Sequence, residues 1–130
     1  MHHIVWDWNG TLLDDVAVVV AAVNDTLAIV DRRPITIEEY GANYTRPVLL
    51  FYERLLGREI EESEWLTFDR AFHASYRRRV DSATLADDAV EALTAVQEGG
   101  LSQSLLSMYW HDELVPQVDR RGLSLSLIHI

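Results

Sequence analysis

The chain of 130 residues contains no cysteine. That absence excludes disulfides, thiolate zinc sites and thiol nucleophiles, and nothing in the sequence calls for an oxidising compartment. Lysine is absent too: all 11 basic side chains are arginines, so any chemistry that needs an ammonium group must do without one. Positive charge is scarce overall, with 21 acids, a formal net charge of -10 and a pI near 4.7. A phosphate-backbone binder or an anionic-membrane binder would favour a basic face, so no nucleic-acid or membrane partner is expected. An anionic small substrate would need positive charge supplied locally. No stretch is long enough to span a bilayer, and the N-terminus has no basic segment followed by a signal-type apolar run; a cytoplasmic location is the expectation.

What is present fits one modest globular core with an insertion: 48% of residues are hydrophobic and 25% charged. Ile4, Val5 and Trp6 are β-prone and predict a buried strand of a parallel sheet, with Asp7 at its C-terminal end. Asp14 or Asp15 can cap a helix carrying Val16, Val19, Val20, Val23, Leu27 and Val30 at helical spacing, ending near Asp31 to Pro34. A short helix is predicted after Thr36, with Glu38 and Glu39 in its first turn. Another opens at Pro47, carries Val48, Phe51, Leu55 and Leu56, and stops at Gly57. Ser63 reads as the N-cap of a longer helix with Trp65, Phe68, Phe72 and Tyr76 on one face, ending in Arg77, Arg78 and Arg79. Asp87 or Asp88 starts a helix through Ala89, Ala92, Leu93 and Val96, closed by Gly99 and Gly100. The run "LSQSLLS" reads as a second strand. Asp112 and Glu113 open a last helix with Leu114, Val115 and Val118, in which Pro116 is expected in the first turn, and Gly122 closes it.

Strand, helices, strand, helix is the order of an α/β fold with a parallel sheet and a largely separate helical cap. Ligands of such sheets bind at the carboxyl ends of the strands. Asp7 and Ser107 would both lie there if the two strands are neighbours.

These residues carry a resemblance. "DWNGTLLDD" (Asp7 to Asp15) resembles the first motif of the haloacid dehalogenase-like hydrolase superfamily, and "SLLSM" (Ser104 to Met108) resembles its second. The helical block between them is similar to the cap of phosphoglycolate phosphatase-like members. The resemblance implies a partial parallel-sheet, Rossmann-like core over residues 1–14 and 81–130, with the cap over 15–80. It also implies a magnesium-dependent phosphatase acting on a small phosphorylated metabolite such as phosphoglycolate through an aspartyl-phosphate, with this chain an N-terminal part expected to be inactive alone. Asp7 matches the nucleophile, which divides a difficult hydrolysis into two displacements. Asp7 and the backbone carbonyl of Asn9 would hold Mg²⁺, which lets a carboxylate approach a phosphate. Gly10 lets the chain turn away from the strand, and Thr11 supports the phosphate side. Ser107 and the backbone N–H of Met108 would hold a phosphoryl oxygen.

Position 9 departs from the pattern. The superfamily's phosphatases normally have there a second aspartate that moves protons, and an amide cannot. The implied consequence is slower turnover, recovered by Asn9→Asp. The C-terminal part departs further: no lysine and no later acids can be placed, Arg120 and Arg121 come too early, and the chain ends in "GLSLSLIHI". That ending is expected to be a translated junction on an incomplete frame rather than a natural edge strand, and an isolated chain of this kind is expected to aggregate or pack loosely.

Other readings stand beside these. "DWNGT" could be a hairpin turn, since Asn-Gly favours type I′ geometry. Ser107 could simply end a strand. Arg46 is a candidate contact for an anionic substrate from the cap, or a solvated surface arginine. His73 reads as a packing or surface residue, the Trp65 to Tyr76 stripe as cap core, and Arg77 to Arg79 as a solvated helix end. A non-catalytic remnant that binds a partner is the main functional alternative, and a metal-free dehalogenase ranks below it.

Overall fold

A computed structural model describes residues 2–123 and 128–129. The elements follow in the order β1 (His3–Trp6), β2 (Leu13–Asp14), α1 (Val16–Ala28), α2 (Ile37–Asn43), α3 (Val48–Leu56) and α4 (Glu62–Arg79). After a 3-10 turn (Val80–Ser82) come β3 (Thr84–Leu85), α5 (Ala89–Glu98), β4 (Ser102–Leu105), α6 (His111–Arg120) and β5 (Ile128–His129). They form two compact units, one of Met1–Asp15 with Ala83–Ile130 and one of Val16–Ser82.

The first unit is built on a parallel sheet in the order β1-β4-β5. His3 pairs with Ser102 and Trp6 with Leu105, so the two strands end level with one another. Residues of one parity share a face: Gln103 is buried, accepts from the Trp6 indole N–H at 2.9 Å and donates to the Leu93 carbonyl of α5 at 2.9 Å. On the other face His3 hydrogen-bonds the hydroxyls of Ser102 and Ser104. β1 is therefore not the strand buried on both faces that its apolar run predicts, because Val5 is 52% exposed. β2 and β3, which flank the helical unit in sequence, pair antiparallel as a short second sheet. Their two-residue length leaves no alternation to read, and the sequence carries no sign of them. Of the run "LSLSLIHI", 124–127 and 130 lie outside the described residues; the backbone at Ile128–His129 pairs parallel with β4.

The second unit is a helical bundle in which α1 packs along α4. Its core joins Val23 and Leu27 of α1, Ile35, Phe51, Tyr52 and Leu56 around α3, Ile60, and Phe68 of α4. Trp65 and Phe72 pack against that core, so the aromatic stripe is cap core as its spacing suggests. The Thr36 hydroxyl caps α2 by accepting from the Glu39 N–H at 3.1 Å. Gly57 ends α3 in the left-handed region at φ 69°, where its N–H reaches the Glu53 carbonyl at 2.8 Å. The loop after α1 is pinned by Asn24, whose side-chain amide donates to the Ile35 carbonyl and accepts from its N–H.

Three local expectations are corrected. Helix α4 starts at Glu62 with Glu61 at the N-cap, so Ser63 lies inside the helix; three acids at Glu61, Glu62 and Glu64 suit the positive end of the dipole without a hydroxyl cap. Pro116 is the sixth residue of α6, past the first turn, and the helix forgoes one backbone bond there. The arginines ending α4 are not all simply solvated. Arg79 donates to Asp25 of α1 at 2.9 Å and to the buried Ser75 hydroxyl at 3.2 Å, and Arg78 lies 3.7 Å from the same carboxylate.

This packing has two measurable consequences. The hydrogen bond from Ser75, helped by Arg79 and Arg78, holds the Asp25 carboxyl below its ordinary value of 3.8. The pairing therefore stabilises the bundle above that value and is lost as pH falls through the lower, folded one; Asp25→Asn should flatten the acid limb of a stability-versus-pH curve and leave its neutral region less stable. In the sheet unit Trp8 is 0% exposed, and its indole N–H has no hydrogen-bond partner among the described residues. Trp8→Phe should stay within about 1 kcal/mol of the parent in urea unfolding, since it removes an unpaired donor, whereas Trp8→Ala should cost about 3–5 kcal/mol.

Candidate active site at the carboxyl ends of two parallel strands

Asp7 directly follows β1, and Ser107 follows β4 by two residues; the Leu106 N–H still reaches the Trp6 carbonyl at 2.9 Å, carrying the ladder one step beyond the strands. Parallel pairing in level register thus delivers both side chains to one end of the sheet.

The chain after β1 does not form a hairpin, for β1 pairs with β4. The Trp8 carbonyl accepts the N–H groups of Thr11, Leu12 and Leu13 at 3.0–3.1 Å, and the Gly10 N–H returns to the Leu13 carbonyl at 2.9 Å. Residues Trp8 to Leu13 thereby wrap around a single acceptor. Gly10 sits at φ 75°, and a Cβ there would meet nothing within 4 Å, so backbone conformation rather than space requires glycine.

Within this turn the exposed Asp7 carboxylate accepts from the Trp8 N–H at 2.9 Å and from the Thr11 hydroxyl at 3.3 Å. Both bonds fix its direction. The Asn9 carboxamide bridges two loops: its oxygen accepts from the Ser107 hydroxyl at 3.3 Å, and its nitrogen donates to Asp15 at 3.2 Å. The Ser107 oxygen in turn accepts from the Tyr109 N–H at 3.0 Å. Asp7, Asn9, Gly10, Thr11 and Ser107 are accordingly brought together.

The remaining two named residues are Met108 and Arg46. The Met108 side chain is 85% exposed, so the chemistry available at that position is its backbone N–H. Arg46 belongs to the helical unit, where its Nε donates to the Tyr44 hydroxyl at 3.3 Å. Sequence reasoning offered Asp14 or Asp15 as a helix cap and missed the bond of Asp15 to Asn9. The available signal was that two adjacent acids follow the turn and a cap needs only one.

The charge around the site is lopsided. Nine of the 11 arginines belong to the helical unit; the sheet unit has only Arg120 and Arg121 to set against ten acids. Both lie at the end of α6, and Arg121 is held by the Gln117 side chain at 2.6 Å and the Ala83 carbonyl at 2.8 Å. Among the described residues no group of three or more His, Asp or Glu side chains could hold a metal ion by themselves. What the turn does offer is an outward carboxylate and backbone oxygens. Such hard donors suit an ion that keeps most of its shell for water and phosphate. Among the described residues, no helix is long and apolar enough to cross a membrane.

No family model matches the sequence. No curated protein matches it either. Solved structures do match in three dimensions. A HAD hydrolase, family IA, variant 3, from Entamoeba histolytica superposes with a TM-score of 0.76 at 16% identity, over 99% of this chain and 61% of that one. A predicted phosphatase from Clostridium acetobutylicum gives 0.81 at 12% identity, over 99% and 59%. A predicted phosphoglycolate phosphatase from Haemophilus somnus gives 0.75 at 17% identity, over 97% and 60%. The chain thus spans about 60% of the length of the structures it matches. At such identities a likeness speaks for architecture alone: this mixed α/β chain, with its parallel sheet and helical unit, has the fold of the haloacid dehalogenase-like hydrolases.

Proposed function

We propose that the chain carries the nucleophile half of a haloacid dehalogenase-type phosphatase site, built to act on a small phosphomonoester of the phosphoglycolate class. The observation that carries this reading is the Asp7 carboxylate, exposed at the end of β1 and aimed by two hydrogen bonds, with the Ser107 hydroxyl joined to the same turn through Asn9.

In this reading one oxygen of Asp7 attacks phosphorus while the P–O bond to the leaving group breaks, giving an aspartyl-phosphate and an alkoxide that takes a proton from water. Water then attacks the phosphorus and releases inorganic phosphate and the free carboxylate. Thr11 keeps the carboxylate in one rotamer, which removes part of the entropic cost of approach. The hydroxyl of Ser107, once turned from the Asn9 oxygen, and the backbone N–H of Met108 would hold a phosphoryl oxygen as its charge grows. Asp7 and the Asn9 carbonyl are the residues that would hold Mg²⁺, which when bound supplies the positive charge that this acid-rich unit otherwise lacks. Asn9 itself moves no proton. The same amide favours a second reading, a phosphate-binding module without turnover, and supplies its discriminating feature. The cytoplasmic location expected from the sequence remains part of the proposal.

Phosphate release from 2-phosphoglycolate and from p-nitrophenyl phosphate, with Mg²⁺ and with EDTA, tests the assignment. For this part of the site alone, the expected result is metal-dependent release far below that of a complete phosphatase and abolished in Asp7→Asn, with the melting temperature unchanged. Release that survives Asp7→Asn would rule the nucleophile out. Saturable phosphate binding without release, lost in Ser107→Ala, would establish the binding module instead.

A further inference from the structure

The sheet unit buries one carboxylate next to its candidate site. Asp15 is only 3% exposed, and its Oδ2 accepts from the Asn9 side-chain nitrogen at 3.2 Å. Asn9 cannot be turned over without placing its own oxygen against that carboxylate, so the bond decides which end of the amide faces Ser107. The end that does is the oxygen, 3.3 Å from the Ser107 hydroxyl, whose own oxygen is occupied by the Tyr109 N–H. The arrangement is a directed chain from the loop after β4, across residue 9, to a buried acceptor.

We infer that Asp15 is the positioning residue of the site: it fixes the orientation of the Asn9 amide and, through its charge, dictates that residue 9 be an amide rather than a carboxylate. An aspartate at position 9 would replace the amide donor by a second acceptor about one hydrogen-bond length from the first, which is almost wholly shielded from water. The Asn9→Asp exchange that the motif resemblance suggests as a gain is therefore a loss while Asp15 is in place. Combining Asn9→Asp with Asp15→Asn restores the bond with its polarity reversed, the amide now at position 15 donating to the carboxylate now at position 9. The double exchange also moves the carboxylate from the buried position to the one facing Ser107. The structural pairing stands without any assumption about activity; only its consequence for turnover rests on the phosphatase reading.

Four versions of this chain test it: the parent, Asn9→Asp, Asp15→Asn, and the double exchange Asn9→Asp with Asp15→Asn. Melting temperatures are taken in metal-free buffer at pH 7.5. Asn9→Asp should melt about 5 °C or more below the parent, and the double exchange should return to within about 2 °C of it. Should Asn9→Asp not fold, recovery of folded protein in the double exchange supports the pairing equally, and failure of both to fold overturns it. The inference is also overturned if Asn9→Asp is as stable as the parent, or if adding Asp15→Asn to it restores nothing. In the parent, the Asn9 side-chain amide should give one sharp pair of NMR resonances that shifts on Asp15→Asn; an unshifted pair again overturns it. A separate arm measures phosphate release from 2-phosphoglycolate with Mg²⁺, where the double exchange should exceed the parent by about 10²-fold through the proton-moving group it gains. Stability that follows the pattern without that gain leaves the pairing intact and counts against the phosphatase reading.

Discussion

The parallel pairing of β1 with β4 is the constraint on which the site depends. Asp7 and Ser107 are a hundred residues apart in the chain, and only the level register from His3–Ser102 to Trp6–Leu105 makes them neighbours. Such a ladder cannot close through a short turn; parallel strands need a long crossover, and here α5 and the whole helical unit lie within it. The chain leaves and re-enters the sheet unit through β2 and β3, whose antiparallel pairing ties the exit at Leu13–Asp14 to the return at Thr84–Leu85. The Arg121 guanidinium on the Ala83 carbonyl braces the same return. An insertion of 67 residues can thus sit between the motifs without setting the strand register itself.

Much of this was readable in advance wherever periodicity or a local rule operates. The helices were legible from apolar spacing, the end of α3 from Gly57, the start of α2 from Thr36 and its following glutamates. The first motif was legible because few turns place an acid, an asparagine and a glycine directly after an apolar strand. What escaped has a common physical character: it is set by contacts distant in sequence or by elements too short to carry a period. β2 and β3 are two residues each. The exposure of Val5 depends on what covers the sheet, which no strand states about itself. Arg78 and Arg79 looked like a helix end with favourable dipole charge, and that account is correct as far as it goes; the carboxylate they meet is 54 residues from Arg79 and belongs to another helix. Trp8 followed Asp7 without any sign that its indole would be wholly buried.

Asp15 illustrates why a motif read residue by residue can mislead. Taken alone, Asn9 implies slower turnover and Asp15 is one of two candidate helix caps. Taken together they are one hydrogen bond with the carboxylate on the buried side, and the apparent defect at position 9 becomes the uncharged choice compatible with its neighbour. The pair also adds side-chain ties to a turn already closed by backbone bonds. Trp8's carbonyl gathers the backbone from inside, while Asn9 ties it outward to the loop after β4.

The distribution of charge carries the argument one step further. A unit with ten acids and two arginines, both arginines at the end of one helix, repels any phosphate that approaches Asp7. Hydroxyls and backbone N–H groups at Ser107, Met108 and Thr11 can orient an anion, yet dipoles alone compensate poorly for a net field of that sign. Under the proposed function, a phosphate there would need positive charge that the sheet unit's own side chains do not supply, as a cation held on oxygen donors would provide.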